Sequence, residues 1–288
     1  MPLFFRMPAL IEDIEFHGQP AIAMTSADGA RAVVSLFGAQ VLSWQPAHGE
    51  ERLFLSDKAC FDGVHPVRGG VPVCFPQFSG LGKLPKHGFV RTLPWTVRQR
   101  RAEADHTMLV LGLNENAHTH ALWPTMFDAE LTVAIEGARI DIELGIENTG
   151  HAPFAFTAAL HSYLAVREVE LARLEGLRGY EYRDAADDNR IKRDTADALI
   201  VDDEVNRVYH DVDRALVLFE PHRALRIEVS GFPDVVVWNP WETHCAALPD
   251  MPATGFRNML CVEAAAARRK IALDAGEEWF GRQSLVAA

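Results

Sequence analysis

Two adjacent stretches in the middle of the chain alternate between apolar and charged side chains, and this pattern constrains the fold. From Phe127 to Glu136, apolar side chains occupy every second position, and charged or polar side chains occupy most of the others. After a turn at Gly137, the same alternation runs from Ile140 to Glu147. A period of two places successive side chains on opposite faces of a β-strand, whereas a helix repeats every 3.6 residues. The pattern therefore predicts an antiparallel hairpin with one face in water and one against a core.

Shorter stretches elsewhere carry the same period or a run of β-branched residues. They predict further strands in residues 31–44, interrupted at Gly38, and in residues 107–113, 225–229 and 234–238. Long amphipathic helices are scarce, and we interpret the charged, weakly patterned residues 183–203 as a loop. No repeat of fixed period appears, and no shift in composition marks a linker. The sequence therefore predicts an all-β chain, with one large antiparallel β-sandwich forming a single domain over residues 1–288.

The charge balance limits the partners that such a chain can bind. Acidic residues outnumber basic residues by 40 to 28, which gives the 288-residue chain a net charge of −12. Such a chain repels nucleic acid and anionic membrane surfaces on average, so we expect neither as a partner. A small anionic substrate is compatible with this charge, because a few clustered arginines override the mean locally. We expect a monomer.

No segment of the sequence is typical of export or of membrane insertion. The N-terminal residues contain only broken apolar runs, with Arg6 inside them and Glu12 and Asp13 close behind. No run of about 18 apolar residues occurs, and none of the seven asparagines begins an N-x-Ser/Thr acceptor. We therefore expect a cytoplasmic protein.

The sequence lacks the common cofactor motifs. No G-x-G-x-x-G follows a predicted strand, no G-x-S-x-G is present, and the four cysteines form no C-x-x-C pair. His118 and His120 would share one face of a strand, but no third metal ligand lies nearby in the sequence. We interpret them as surface histidines and expect neither a metal nor an organic cofactor.

Two glycine-containing segments combine ionisable groups with unusual backbone freedom. RGGVPVCFP begins at Arg68, and KHGFVR contains His87 and ends at Arg91. Adjacent glycines let the backbone approach another group closely. The simpler alternative is a pair of loops with solvated arginines and a structural histidine, and the two segments alone do not decide between these interpretations.

Two ionisable side chains lie in apolar surroundings near the predicted strands. ALHSYL places His161 inside an apolar strand, and MLCVEA places Glu263 inside another. A buried unpaired carboxylate costs several kcal/mol unless a partner or a function compensates. Burial also raises its pKa towards neutrality, which suits a general base. Nearby, the sequence WNPW, which begins with Trp238 and Asn239, offers flat aromatic faces and an amide that could hold a sugar.

In this order, RGGVPVCFP, KLPKHGFVRTLPW, LHSYL, VVWNPW, CVEA and LDAGEEW resemble the aldose 1-epimerase superfamily, and most closely its hexose-6-phosphate mutarotase branch. The resemblance extends over residues 29–279. It implies a galactose mutarotase-like β-sandwich with a sugar cleft across one sheet. It also implies interconversion of the α and β anomers of a hexose 6-phosphate, expected to be glucose 6-phosphate, without a cofactor.

The resemblance assigns roles to the ionisable residues. Glu263 matches the general base, His161 the general acid, and His87 a residue that holds and polarises the sugar. Arg68 and Arg91 match phosphate-binding arginines, whose planar forks suit phosphate oxygens. Lys83 is expected to assist them.

The sequence departs from the family at one position of the sugar site. The segment DEVNRVY has Asn206 where an aspartate is expected, and asparagine hydrogen-bonds without carrying charge. We still predict Asn206, Trp238 and Asn239 as sugar contacts. Three alternatives stay open at this point: an epimerase of unphosphorylated aldoses, a carbohydrate-binding protein without turnover, and a glycoside hydrolase, which needs two carboxylates.

Overall fold

The computed structural model describes residues 8–104 and 106–288, and antiparallel strands dominate it. The strands, in chain order, are β1 Leu10–Phe16, β2 Gln19–Thr25, β3 Arg31–Ser35, β4 Val41–Gln45, β5 Val73–Cys74, β6 Thr96–Ala102, β7 Thr107–Asn114, β8 Asp128–Glu136, β9 Arg139–Glu147, β10 Phe154–Leu160, β11 Tyr163–Ala165, β12 Arg173–Glu175, β13 Glu181–Asp184, β14 Arg190–Arg193, β15 Ala198–Leu199, β16 Val205–Tyr209, β17 Leu216–Glu220, β18 Arg223–Ser230, β19 Asp234–Asn239, β20 Met259–Leu273 and β21 Glu278–Ala287. The helical elements are α1 Ala117–Leu122, α2 Trp241–Ala246 and single 3₁₀ turns at Val90–Thr92, Val169–Leu171 and Gly255–Asn258.

The strands form three sheets, and the two larger ones enclose the core. A four-stranded sheet has the order β1-β2-β3-β4. An eight-stranded sheet has the order β14-β13-β16-β19-β20-β10-β5, with β11 also paired to β20. A nine-stranded sheet has the order β15-β12-β17-β18-β21-β9-β8-β7-β6. This architecture confirms the predicted all-β sandwich.

The hairpin of β8 and β9 shows why the alternation predicted the fold. Side chains such as Leu131, Val133 and Ile142 are fully buried, while the intervening side chains are at most partly buried. Each such side chain contributes about 1.5–3 kcal/mol by leaving water. A buried polar contact then ties the two large sheets together, because the Gln283 amide donates to the Val262 carbonyl oxygen at 2.8 Å.

Two local predictions were wrong. Residues 183–203 are not a loop, because they contain β14 and β15 and the end of β13. The β13–β14 hairpin lies at the edge of the eight-stranded sheet with much of its surface in water. Its sequence therefore shows no alternation of apolar and polar residues. His118 and His120 lie in α1, which Asn116 caps, rather than in a strand. Both are exposed, as expected of surface histidines.

Several predictions about the whole chain stay predictions. The N-terminal segment used to exclude a signal sequence includes residues 1–7, which lie outside the described residues. No helix among the described residues is long and apolar enough to cross a membrane. The division into domains, the monomeric state and the cytoplasmic location are not tested by the fold.

Candidate active site

A cleft of about 400 Å³ crosses the face of the eight-stranded sheet that points away from the main core. Residues directly opposite each other on neighbouring antiparallel strands project to the same side of a sheet. One such row crosses β13, β16, β19 and β20, and consists of Arg183, Val208, Val236 and Glu263. The next row crosses β16, β19, β20 and β11, and consists of Asn206, Trp238, Cys261 and Tyr163. We call the first the Arg183–Glu263 row; its middle is apolar and its ends are charged or ionisable.

His161 and Glu263 meet at one end of this row. Glu263 lies within β20, as predicted, whereas His161 lies at the break between β10 and β11 and not inside a strand. The break brings the imidazole against β20, where its Nε2 is 3.4 Å from Glu263 Oε1. The Tyr163 ring stacks on the imidazole at a centroid distance of 4.8 Å and fixes its plane.

The same two side chains carry buried polar atoms without partners. His161 is 8% exposed and Glu263 is 1% exposed. Within the described part of the chain, neither His161 Nδ1 nor Glu263 Oε2 has a hydrogen-bond partner. Leaving a buried polar atom unpaired costs about 1–3 kcal/mol. Such atoms therefore mark where a hydroxylic ligand would be stabilised.

Burial shifts the pKa values of Glu263 and His161 in opposite directions. Burial raises the pKa of Glu263 well above its ordinary value, and the Lys86 charge opposes that rise. The pKa of His161 falls well below its ordinary value because of burial, the adjacent His87 ring and the charges of Arg68 and Arg91. For both groups burial therefore favours the neutral form, which is protonated for Glu263 and unprotonated for His161.

His87 enters the cleft through a strained turn. Its backbone has φ +66°, and Gly88 follows with φ +72°. A Cβ on Gly88 would lie 2.0 Å from the Phe75 carbonyl oxygen, so only glycine fits this close approach. Since His87 Nδ1 accepts a hydrogen bond from the Ser79 backbone at 3.3 Å, the ring proton lies on Nε2. Burial and nearby cations, Arg91 first among them, lower the pKa of His87 to about 3, so the ring is a neutral donor.

Arg68 lies between this first cleft and a second cleft of about 370 Å³. Its Nη1 donates to the Tyr163 hydroxyl at 2.9 Å, and its Nε donates to Asp250 Oδ2 at 3.1 Å. Because His161 also lines both clefts, the two clefts meet at His161, next to Glu263.

Arg91 lines the second cleft and not the first. It belongs to a 3₁₀ turn, and its Nη2 donates to the Lys86 carbonyl oxygen at 2.8 Å. Its buried Nε has no partner among the described residues. The structure therefore brings Arg68 and Arg91 to one cleft, as a shared phosphate site requires.

The structure places Lys83 away from both of these clefts. Lys83 lines a separate groove with Leu122, Trp123 and Lys270. Lys86 lines the first cleft instead. The prediction for Lys83 was wrong in position, because the segment between Gly82 and His87 is irregular and its spacing does not say which lysine turns inwards.

The WNPW segment divides between two faces of β19. Trp238 and Asn206 line the cleft, as predicted for sugar contacts. Asn239 is fully buried on the opposite face, where its amide donates to the carbonyl oxygens of Phe256 and Met259 at 2.8 Å each. The predicted sugar contact at Asn239 was wrong because successive residues of a strand point to opposite sides.

Arg183 is a cleft residue that the sequence did not reveal. It lines the cleft from the edge hairpin, together with Asn189, whose side chain accepts a hydrogen bond from Arg183 Nη1. The prediction of a loop in this region hid it. The signal that could have found it is the register of the strands, which the sequence alone does not give.

Two groups of potential metal ligands occur among the described residues. The first is exposed and consists of Cys60, Asp62 and His65. The second is buried and consists of His161, Cys261 and Glu263. We predicted no metal because the expected chemistry needs only proton transfer, and the structure does not test that prediction.

Comparisons with known proteins identify the family of the chain. Residues 20–286 match the family described as Aldose 1-epimerase. A protein from Cenchrus ciliaris named "Putative glucose-6-phosphate 1-epimerase" is 35% identical over 281 residues, covering 94% of this chain and 85% of that protein. An Escherichia coli K12 protein of the same name is 32% identical over 239 residues, covering 82% of this chain and 79% of its own.

Solved structures extend the comparison to the fold. A crystal structure titled as a "putative mutarotase" from Salmonella typhimurium superposes with a TM-score of 0.90 at 28% identity, covering 97% of this chain and 94% of that one. A galactose mutarotase-like protein from Clostridium acetobutylicum shares the fold alone, with a TM-score of 0.77 at 15% identity and coverage of 98% and 99%. The chain therefore belongs to the aldose 1-epimerase family, whose enzymes are isomerases that interconvert sugar anomers.

Proposed function

We propose that the enzyme interconverts the α and β anomers of a hexose 6-phosphate, with glucose 6-phosphate as the preferred substrate. The observation that carries the proposal is the buried contact of 3.4 Å between His161 Nε2 and Glu263 Oε1 at the meeting point of two clefts. One cleft suits a sugar ring, and the other offers cations to a phosphate.

The distribution of charge supports an anionic substrate. Arg91 and Lys86 have no carboxylate within 4 Å among residues 8–104 and 106–288, although the chain has a net charge of −12. Arg68 is the one arginine of these clefts with such a partner, Asp250. Leaving cations unpaired in an acidic protein is consistent with a site that receives its counter-charge from a ligand.

The chemistry of the substrate sets its orientation. In a hexopyranose 6-phosphate, C6 is attached to C5, which is bonded to the ring oxygen O5. If His161 delivers a proton to O5, the phosphate lies on the His161 side of the ring. That side opens into the second cleft, where Lys58, Arg68 and Arg91 supply positive charge.

Ring opening then needs two proton transfers. The Glu263 carboxylate takes the proton from the hydroxyl on C1, and the His161 imidazolium gives a proton to O5. The C1–O5 bond breaks and C1 becomes an aldehyde carbon, which rotates about C1–C2. The reverse transfers close the ring on the other face of C1 and return both protons. His87, a neutral donor through Nε2, holds a sugar oxygen without changing charge.

The bound phosphate helps to create the working protonation state. Burial favours neutral His161 and protonated Glu263, and the working state moves that proton across their contact. Arg68 and Arg91 oppose a charge on His161. A phosphate dianion between these arginines offsets their effect and raises the pKa of His161. We therefore expect phosphate to improve kcat as well as binding.

Polarimetry of freshly dissolved α-glucose 6-phosphate tests the proposal, with free α-glucose measured in parallel. Catalysed mutarotation of both sugars, faster for the phosphate, supports it. Equal rates would instead favour an epimerase of unphosphorylated aldoses, and binding without turnover would favour a carbohydrate-binding protein. A glycoside hydrolase is disfavoured, because Glu263 is the one carboxylate lining the sugar cleft among the described residues.

A further inference from the structure

The sugar cleft extends well beyond the acid–base pair. In the Arg183–Glu263 row, two valines separate the charged ends, so the row spans three strand spacings. At about 4.8 Å for each spacing, the Cα atoms of Arg183 and Glu263 lie about 14 Å apart. A sugar ring that reacts at Glu263 therefore lies over the valines, with its far side towards Arg183.

The backbone near Arg183 is fixed by a hydrogen bond, but most of the N–H donors of its side chain have no protein partner among the described residues. The Ala185 backbone donates to the Asn206 carbonyl oxygen at 2.8 Å, which fixes the hairpin loop to the cleft floor. In the described chain, the Arg183 side chain makes one hydrogen bond, to Asn189, and has no carboxylate within 4 Å. Since a guanidinium has five N–H donors, most of them are free for a ligand.

Ring geometry identifies the groups that reach this arginine. In a six-membered sugar ring, C4 lies opposite C1, and C3 lies opposite O5. When C1 and O5 contact Glu263 and His161, and C6 is directed into the second cleft, the hydroxyls on C3 and C4 point along the row away from the reacting bond.

We propose that Arg183 donates hydrogen bonds to the C3 and C4 hydroxyls of the hexose and thereby determines which sugar stereoisomer fits. Asn206, in the neighbouring row, offers an amide oxygen that accepts from the same hydroxyls. The proposal rests on the proposed function, because the assignment of C1 and O5 to the acid–base pair orients the ring.

The first test compares Arg183→Met with Arg190→Met. Arg190 belongs to the same hairpin, but it pairs with Asp187 and does not line the cleft. Arg183→Met is expected to raise KM about tenfold or more for both glucose 6-phosphate and free glucose. Because the ring hydroxyls are bound equally before and during reaction, kcat should change little. The Arg190 variant should behave as wild type, and equal melting temperatures exclude a folding defect.

A second test uses substrates that lack one hydroxyl. For the wild type, kcat/KM should fall when 4-deoxyglucose or 3-deoxyglucose replaces glucose. For Arg183→Met, whose kcat/KM on glucose is already low, the same replacement should cause little further decrease. The wild type should also prefer glucose 6-phosphate over its C4 epimer, galactose 6-phosphate, and the variant should lose that preference.

Three outcomes would overturn the proposal. KM values unchanged in Arg183→Met would mean that the arginine does not contact substrate. A loss confined to glucose 6-phosphate would place it in the phosphate site, and additive losses with the deoxy sugars would mean that it contacts other groups. Failure of the proposed function is distinguished by Glu263→Gln, whose full activity would remove the acid–base assignment whatever the Arg183 variant does.

Discussion

The sugar cleft and a groove on the nine-stranded sheet are built alike but charged differently. The groove is lined by a row of opposed residues, Asp128, Glu147 and Glu278, and Arg98 is its one cation among residues 8–104 and 106–288. Arg98 is neutralised there, because its Nη2 lies 2.5 Å from Asp128 Oδ1. Among the described residues that line the cleft, the cations are mostly unpaired and the single carboxylate, Glu263, is buried. The position of charges within the fold, more than the net charge, therefore decides which face can receive an anionic sugar.

The buried carboxylate gives the largest expected contrast. Glu263→Gln keeps the shape of the side chain and removes its basicity, so anomerisation should fall about 10²-fold or more. Glu278→Gln, the same change in the acidic groove, should leave the rate unchanged. Polarimetry measures both, and wild-type turnover in the Glu263 variant would contradict the assignment.

The histidine partner refines that first test. His161→Asn should slow turnover comparably and leave the fold intact. Combined with Glu263→Gln, it should cost much less than the product of the single effects, because the two residues act as a unit. Fully multiplicative losses would show that they do not share a step.

The next largest contrast in activity is expected between the unpaired Arg91 and Arg98, which is paired with Asp128. Arg91→Ala should lower kcat/KM for glucose 6-phosphate by about 10- to 150-fold, the equivalent of a charge-assisted hydrogen bond of about 1.5–3 kcal/mol. Activity on free glucose should not fall, because that sugar has no phosphate to bind and the Arg91 charge opposes protonation of His161. Arg98→Ala is the matched control, and equal losses on both sugars in Arg91→Ala would instead indicate a structural role.

Replacing Lys86 is expected to have a smaller effect, which is a shift in the pH dependence of kcat/KM. Burial raises the pKa of Glu263, and the Lys86 charge lowers it again. Glu263 also faces His161, Cys74, Cys261 and Tyr163, none of which adds a fixed positive charge. Activity falls at low pH when the His161–Glu263 pair takes up a second proton, and the Lys86 charge opposes that uptake. Lys86→Met should therefore move this acidic limb of kcat/KM to higher pH.

The control for that shift is Lys83→Met. Lys83 lies in a separate groove and should leave the limb in place. Lys86→Arg should also leave it nearly unchanged, because the charge is retained. A limb that does not move in Lys86→Met would show that the lysine charge does not reach the carboxylate.

The smallest effect is expected in the acidic groove. Arg98→Ala removes partly exposed ion pairs with Asp128 and Glu130. Such pairs contribute about 0–1 kcal/mol. Urea unfolding should therefore show a change within that range, and anomerisation should not change. A larger loss would mean that the groove stabilises the sheet as a network.

These comparisons also show how far the sequence could predict the molecule. Alternation revealed the β8–β9 hairpin because one face is buried, and apolar neighbours revealed Glu263. Asn239 was assigned to the wrong face although Trp238 precedes it within one strand, and alternation alone would have separated the two. Arg183 could not be found, because its neighbours in the row come from strands whose register depends on the whole sheet.

The row that forms the cleft floor has a consequence for how activity appears during folding. Its last strand in the chain, β20, must also pair with the distant β10, where Leu160 lies opposite Ala264, to bring His161 against Glu263. Pairings of such high contact order form slowly, because the loops between them must close first. Local hairpins such as β8–β9 can form early without creating any part of the site. Refolding should therefore restore secondary structure before turnover, and a chain truncated before β20 should have no catalytic activity.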